Sequence, residues 1–81
     1  MVSIAVEYCA PCRLGGEAVA TRWVLADHLR TYEDVESVSL QPSAEERFRV
    51  NVDGTSVWSA DVGGDIDPME AVAAVRSQLA D

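Results

Sequence analysis

A chain of 81 residues with fourteen acidic side chains, six arginines and no lysine carries a formal net charge of −8, which describes one small domain with a strongly negative surface. That field repels nucleic-acid phosphates and anionic lipid, so neither is expected as a partner. No apolar run approaches the roughly 18–20 residues a membrane span needs, and no leader pattern opens the chain, so a cytoplasmic location is expected.

An acid-rich surface without lysine suits very high salt, where the Debye length falls to about 3 Å at 1 M and self-repulsion is screened. The competing reading is an acidic partner-binding face in an ordinary cytoplasm. Halophilic adaptation is the favoured of the two.

Val2, Ile4, Val6 and Tyr8 alternate with Ser3, Ala5 and Glu7, which predicts a strand with one apolar face. Cys9 to Arg13 then reads as a loop, and Leu14-Gly15-Gly16 leads into a helix ending near Arg30. Ala18, Leu25 and Leu29 form its inward stripe, widened by Val19, Trp23 and Ala26. Asp27, Arg30 and Glu33 face water, and His28 is a surface residue.

Val35 to Leu40 predicts a second strand, with Val38 and Leu40 inward. A strand, a helix and a strand in that order predict parallel pairing through a crossover. A polar link follows, Gln41 to Glu46, in which Pro42 reads as a turn residue. Phe48, Val50 and Val52 alternate with Arg47, Arg49 and Asn51, and Asp53-Gly54 then supplies the two-residue turn of a hairpin returning through Thr55 to Ala60. A plain two-residue turn sets Val50 opposite Val57 and Arg49 opposite Trp58. Arg49 and Trp58 then share the sheet face away from the helices, as a cation–π pair or with Trp58 as a protein-docking residue.

Asp67 is a good N-cap, Pro68 suits the first helical position and Glu70 completes the capping pattern. Met69, Val72, Ala73, Val75 and Leu79 are expected to form the buried face of this last helix. The order is β-α-β-β-β-α, an α/β fold with a four-stranded mixed sheet and two helices on one face.

The chemistry-bearing segment is Cys9-Ala10-Pro11-Cys12. A purely structural disulfide is disfavoured, because closing so short a loop stabilises by only roughly 2 kcal/mol on a chain-entropy estimate. A zinc site within one chain lacks ligands, since His28 lies on the order of 20 Å down the helix at 1.5 Å per residue. Two chains pooling their cysteines around zinc are the remaining metal reading. The redox reading fits best. Two thiols separated by two residues can form an accessible disulfide, and a cysteine near a helix N-terminus has its thiolate stabilised by uncovered amides and the helix dipole. Arg13 adds favourable charge and Glu7 opposes it, while Pro11 restricts the loop. Gly15 and Gly16 permit close backbone approach, or simply a flexible start to the helix. A CxxC beside a βαβ pattern is the expected setting of a thioredoxin-like motif.

The stretch Val6-Glu7-Tyr8-Cys9-Ala10-Pro11-Cys12 resembles the opening strand and redox loop of the selenoprotein W-like (Rdx) family. Phe48-Arg49-Val50-Asn51-Val52-Asp53-Gly54 with Val57-Trp58 is similar to that family's hairpin, and Gly63-Gly64-Asp65-Ile66-Asp67-Pro68 to its approach to the last helix. The resemblance spans nearly the whole chain and implies one thioredoxin-like domain over residues 1–81 with a thiol–disulfide redox role. It implies that Cys12 stands where selenium-containing members carry selenocysteine, with Cys9 its partner. Thioredoxins instead attack with the first cysteine, so both assignments stay open. Glu46 and Arg47 occupy the approach where thioredoxins place a cis-proline.

The expected function is therefore disulfide exchange by Cys9 and Cys12 with a protein or low-molecular-weight thiol partner, as a thiol–disulfide oxidoreductase without metal or organic cofactor. Tyr8, Pro11, Arg13 and Trp58 are the candidate modulating or docking residues. The rival is a non-catalytic acidic interaction module whose cysteines merely respond to redox state.

Overall fold

Six elements follow one another in the computed structural model, which describes residues 1–80: β1 (Val2–Cys9), α1 (Gly15–Leu29), β2 (Val35–Ser43), β3 (Phe48–Val52), β4 (Thr55–Ala60) and α2 (Pro68–Ala80). The sheet order is β2-β1-β3-β4, with β1 and β2 parallel and the other pairings antiparallel. The helices pack against each other, α1 also against β1 and β2, and α2 against β4, so both cover the same face. This is the mixed sheet with two helices that the alternation and the βαβ order predict.

The period-two pattern of β1 explains its central place. Ile4 and Val6 are fully buried under the helices, between Val38 and Leu40 of β2 on one side and Val52 and Val50 of β3 on the other. Phe48, Val50 and Val52 complete that apolar layer, and Ala18, Leu25, Leu29, Ala71, Val72 and Val75 close over it.

One register row orients the molecule: Pro42, Tyr8, Phe48 and Ala60 lie side by side across all four strands. The Cys9–Cys12 segment, the 43–47 connection and the 61–67 segment leave the sheet at this end, and both helices begin there.

Several expectations fail, each for a geometric reason. Trp23 is 67% exposed rather than buried, because two residues from Leu25 is about 200° around a helix of 3.6 residues per turn. Val19 and Ala26 are exposed for the same reason, and the stripe is completed instead by Thr21, whose hydroxyl donates to the Glu17 carbonyl at 2.8 Å. In α2 the buried line runs through Ala71, Val72 and Val75 to half-buried Leu79, leaving Met69 and Ala73 outside it. Pro42 is not a turn residue: β2 continues through it to Ser43, and an edge strand tolerates a residue without an N–H.

The hairpin carries the largest correction. The Asp53-Gly54 turn forms as expected, with Asp53 at φ 50° and Gly54 at φ 84°, in the left-handed region the turn demands. Thr55 and Ser56 face Val52 and Asn51, but the register then slips and Val50 faces Trp58 instead of Val57. The bulge inserts one residue and reverses the parity of everything beyond it. Trp58 therefore turns to the helix side and meets Phe48 edge-on, ring centroids 6.1 Å apart. It neither stacks on Arg49 nor presents a docking face on the open side of the sheet.

Candidate functional site

The site is built on the last residue of the central strand. Cys9 ends β1 opposite Ser43, and the next residue anchors the turn through an Ala10 N–H bond to the Ser43 carbonyl at 3.0 Å. Cys9 is thus a strand residue rather than a loop residue. Ala10 to Arg13 turn back on themselves, with the Arg13 N–H donating to the Ala10 carbonyl at 3.3 Å. Arg13 leaves this turn at φ 62°, where a side chain costs on the order of 1 kcal/mol, before α1 begins at Gly15.

This path brings the two cysteines together. Their Cα atoms lie 5.3 Å apart and the sulfurs are bonded at 2.08 Å. The two are unequal in access: Cys9 is 1% exposed within the core cluster, whereas Cys12 is half-buried at the surface. Pro11 and Arg13 on either side of Cys12 are exposed, so an incoming group meets that sulfur first.

The start of α1 suits an anionic sulfur. Leu14 occupies the N-cap position and provides no side-chain hydrogen bond, so the first-turn amides keep their donors directed outward. Gly15 and Gly16 are not required by close packing within the chain, since a Cβ at either would meet nothing within 4 Å. Their bareness leaves that helix end open.

Tyr8 is half-buried on the helix side, between Pro42 and Phe48 in the register row. Trp58 lies two strands from β1, beneath α2, and is not brought to the cysteines. His28 sits in the last turn of α1, at the opposite end of that helix, its carbonyl accepting from Arg76 at 3.5 Å. Among the described residues no three metal-binding side chains converge.

The open face of the sheet holds a cluster that sequence reasoning missed. Glu7, only 8% exposed, accepts from Arg49 Nε at 2.6 Å, from Arg47 at 3.3 Å and from Asn51 at 3.3 Å. Arg47 also pairs with Glu45. The Arg49 hydrogen bond holds the Glu7 carboxyl below its ordinary range, overcoming the opposing effect of burial, with Asn51 and Arg47 adding to it. The polar alternation of Glu7 in one strand with Arg49 and Asn51 in the other was visible. What makes them neighbours is the β1–β3 pairing, which no local pattern states.

With that geometry established, the chain can be set beside known proteins. No curated protein sequence matches it. Among solved structures, a protein of Bordetella parapertussis is 26% identical with a TM-score of 0.68, over 95% of this chain and 96% of the other. A selenoprotein W-related protein from Vibrio cholerae is 25% identical at a TM-score of 0.68, over 96% of each chain. The Rdx family model matches residues 3–77. An opening strand closed by a CxxC disulfide, a thioredoxin-like mixed sheet and this family match agree, and the chain belongs to the Rdx family.

Proposed function

We propose that this protein exchanges disulfides with a thiol-bearing partner, with Cys12 as the attacking sulfur and Cys9 as the resolving one. The observation that carries the reading is the pairing of one accessible and one buried cysteine in a single disulfide next to an uncapped helix start.

In the reduced protein the Cys12 thiolate attacks one sulfur of the partner's disulfide. An S–S bond forms between the two molecules, and the partner's other sulfur leaves as a thiolate. Cys9 then gives up its proton and attacks Cys12. The intramolecular disulfide forms and the partner's second thiolate departs. Two electrons pass from the cysteine pair to the partner, whose sulfurs take up protons from solvent. An external dithiol reverses the sequence and restores the reduced protein.

The assignment of roles follows from access. Attack by Cys9 would require a foreign disulfide to reach a sulfur sealed in the core, whereas Cys9 attacking Cys12 needs no movement of a partner. Cys12→Ser abolishes covalent capture, and Cys9→Ser accumulates a mixed disulfide on Cys12, read by mass spectrometry after incubation with a model disulfide. Capture in the Cys12→Ser variant alone would reverse the roles. A wild-type protein that forms no Cys9–Cys12 bond at any redox poise would end the reading.

A further inference from the structure

Trp23 and Val19 are the large apolar side chains that α1 leaves in water, 67% and 43% exposed. At about 100° per residue, Gly15, Gly16, Arg22, Trp23 and Ala26 all fall within about 60° of Val19 around the helix axis, an arc that excludes the buried Ala18, Leu25 and Leu29. The arc carries no carboxylate, in a chain that has fourteen acidic residues. At the cysteine end it is bare: a Cβ at Gly15 or Gly16 would meet nothing within 4 Å, and Cys12 lies three residues before Gly15. Trp23 follows about 12 Å along the axis from Gly15, at 1.5 Å per residue.

Arg22 gives this arc a fixed charge. Its Nε donates to the Val38 carbonyl of β2 at 2.9 Å, which holds the guanidinium at the sheet edge. Among the described residues it pairs with no carboxylate, unlike Arg30, Arg47 and Arg49. Beside it, Ala26, Leu29, Val35 and Val38 line a cleft of about 240 Å³ between α1 and β2, with Glu36 on the β2 side. A cation held in place without a counter-charge, between an exposed tryptophan and an apolar cleft, fits a partner that is both apolar and acidic. Trp and Arg are also the side chains that most often anchor protein interfaces.

We propose that this side of α1 is where the protein partner of the exchange reaction docks, setting an apolar side chain on Val19 and Trp23 and a carboxylate on the Arg22 guanidinium while its disulfide reaches Cys12. This rests on the exchange chemistry above, and it selects a polypeptide over a small disulfide that engages Cys12 alone. The net charge of −8 favours basic partners at long range. That field is screened beyond about 8–10 Å at 0.1–0.15 M salt, whereas Arg22 acts in contact.

The probe is a helical peptide of about 15 residues, long enough at 1.5 Å per residue to run from the cysteines past Trp23. Leucines at every third or fourth position are flanked by glutamates, and one terminal cysteine is carried as a mixed disulfide with thionitrobenzoate. The Cys12 thiolate of the reduced protein attacks the peptide sulfur, and thionitrobenzoate leaves as a coloured thiolate whose release gives the rate. Wild type is expected to react at least about fivefold faster with this peptide than with one carrying lysine in place of glutamate. W23A lowers the rate with the glutamate peptide about tenfold, and R22E cuts the glutamate-over-lysine preference at least about threefold. Hydroxyethyl disulfide, which meets only the cysteine end, reacts equally with wild type and both variants. M69A removes a 48% exposed side chain from α2 and leaves the peptide rate unchanged. A lysine peptide that reacts faster, or a W23A loss no larger than that of M69A, overturns the proposal. So does a wild-type dimer in sedimentation that W23A dissolves, since a second copy would then be the occupant. Fluorescence anisotropy of the labelled glutamate peptide without its cysteine reads docking apart from chemistry. Binding that W23A weakens, with no disulfide reacting at Cys12, removes the exchange reading and leaves the docking face standing. Reaction of the small disulfide with no preference between peptides does the reverse.

Discussion

The two faces of the sheet are built on different physics. Toward the helices, Ile4, Val6, Phe48 and Val50 are sealed from water, and stability there scales with apolar area removed from solvent. On the bare face, Ser3, Ala5, Ser39 and Asn51 offer little apolar surface, and one carboxylate gathers two arginines and an amide around itself. The first face is non-directional and tolerates similar shapes. The second depends on charge and geometry, so it responds to pH where the first does not. Cys9 terminates the strand that both faces share.

Phe48, 1% exposed and in edge contact with Trp58, is the most sensitive point of the helix-covered face. Phe48→Ala is expected to cost about 3–5 kcal/mol, against a total of about 5–15 kcal/mol for an ordinary domain, read as a fall in the urea midpoint. The two sides of α1 differ just as strongly. Leu25→Ala should cost about 2–5 kcal/mol, whereas Trp23→Ala should stay within about 0.5 kcal/mol of wild type. Equal losses would mean that the helix is rotated from the orientation described.

The bare face is next. Glu7→Gln should cost about 1–3 kcal/mol at neutral pH, by urea titration, because charged hydrogen bonds are lost from a buried site. The folded-state pKa of Glu7 is depressed, so its contribution is present above the unfolded carboxyl value of about 4.3 and is lost as pH falls through the depressed folded value. The gap between wild type and Glu7→Gln should therefore be constant near neutrality and close on acidification. A gap that persists unchanged into strong acid would show that packing, not charge, holds this face. The smallest effect is at the hairpin. Gly54→Ala should cost about 1 kcal/mol in chemical denaturation, from the positive φ alone, since a Cβ there meets nothing within 4 Å.

What the sequence makes legible is local. The alternation in β1 and β3, the Asp53-Gly54 turn and the Asp67-Pro68 start of α2 each depend on neighbouring residues. All are present, including the Met69 N–H bond to the Asp67 carboxylate at 3.0 Å. The cysteine pair was legible for the same reason, since its spacing and its place at a strand end fix the encounter. What depended on distant contacts was not. A single bulged residue sends Trp58 to the opposite face, and nothing in Thr55 to Ala60 announces it. The apolar character of Trp23 suggested burial, but its angular position on α1 decides otherwise. The unequal access of Cys9 and Cys12 arises from how the turn is folded onto the strand end, and the Glu7 cluster from strand order.

Pro42 and Arg22 have a consequence for how copies of this molecule behave toward one another. β2 is nine residues long and forms one margin of the sheet, where an unpaired backbone can recruit another chain as an added strand. Arg22 reaches from α1 to donate to the Val38 carbonyl at 2.9 Å, and Pro42 has no amide hydrogen to offer. Two positions along that margin are thus withdrawn from ladder formation, which guards the longest strand against templated polymerisation.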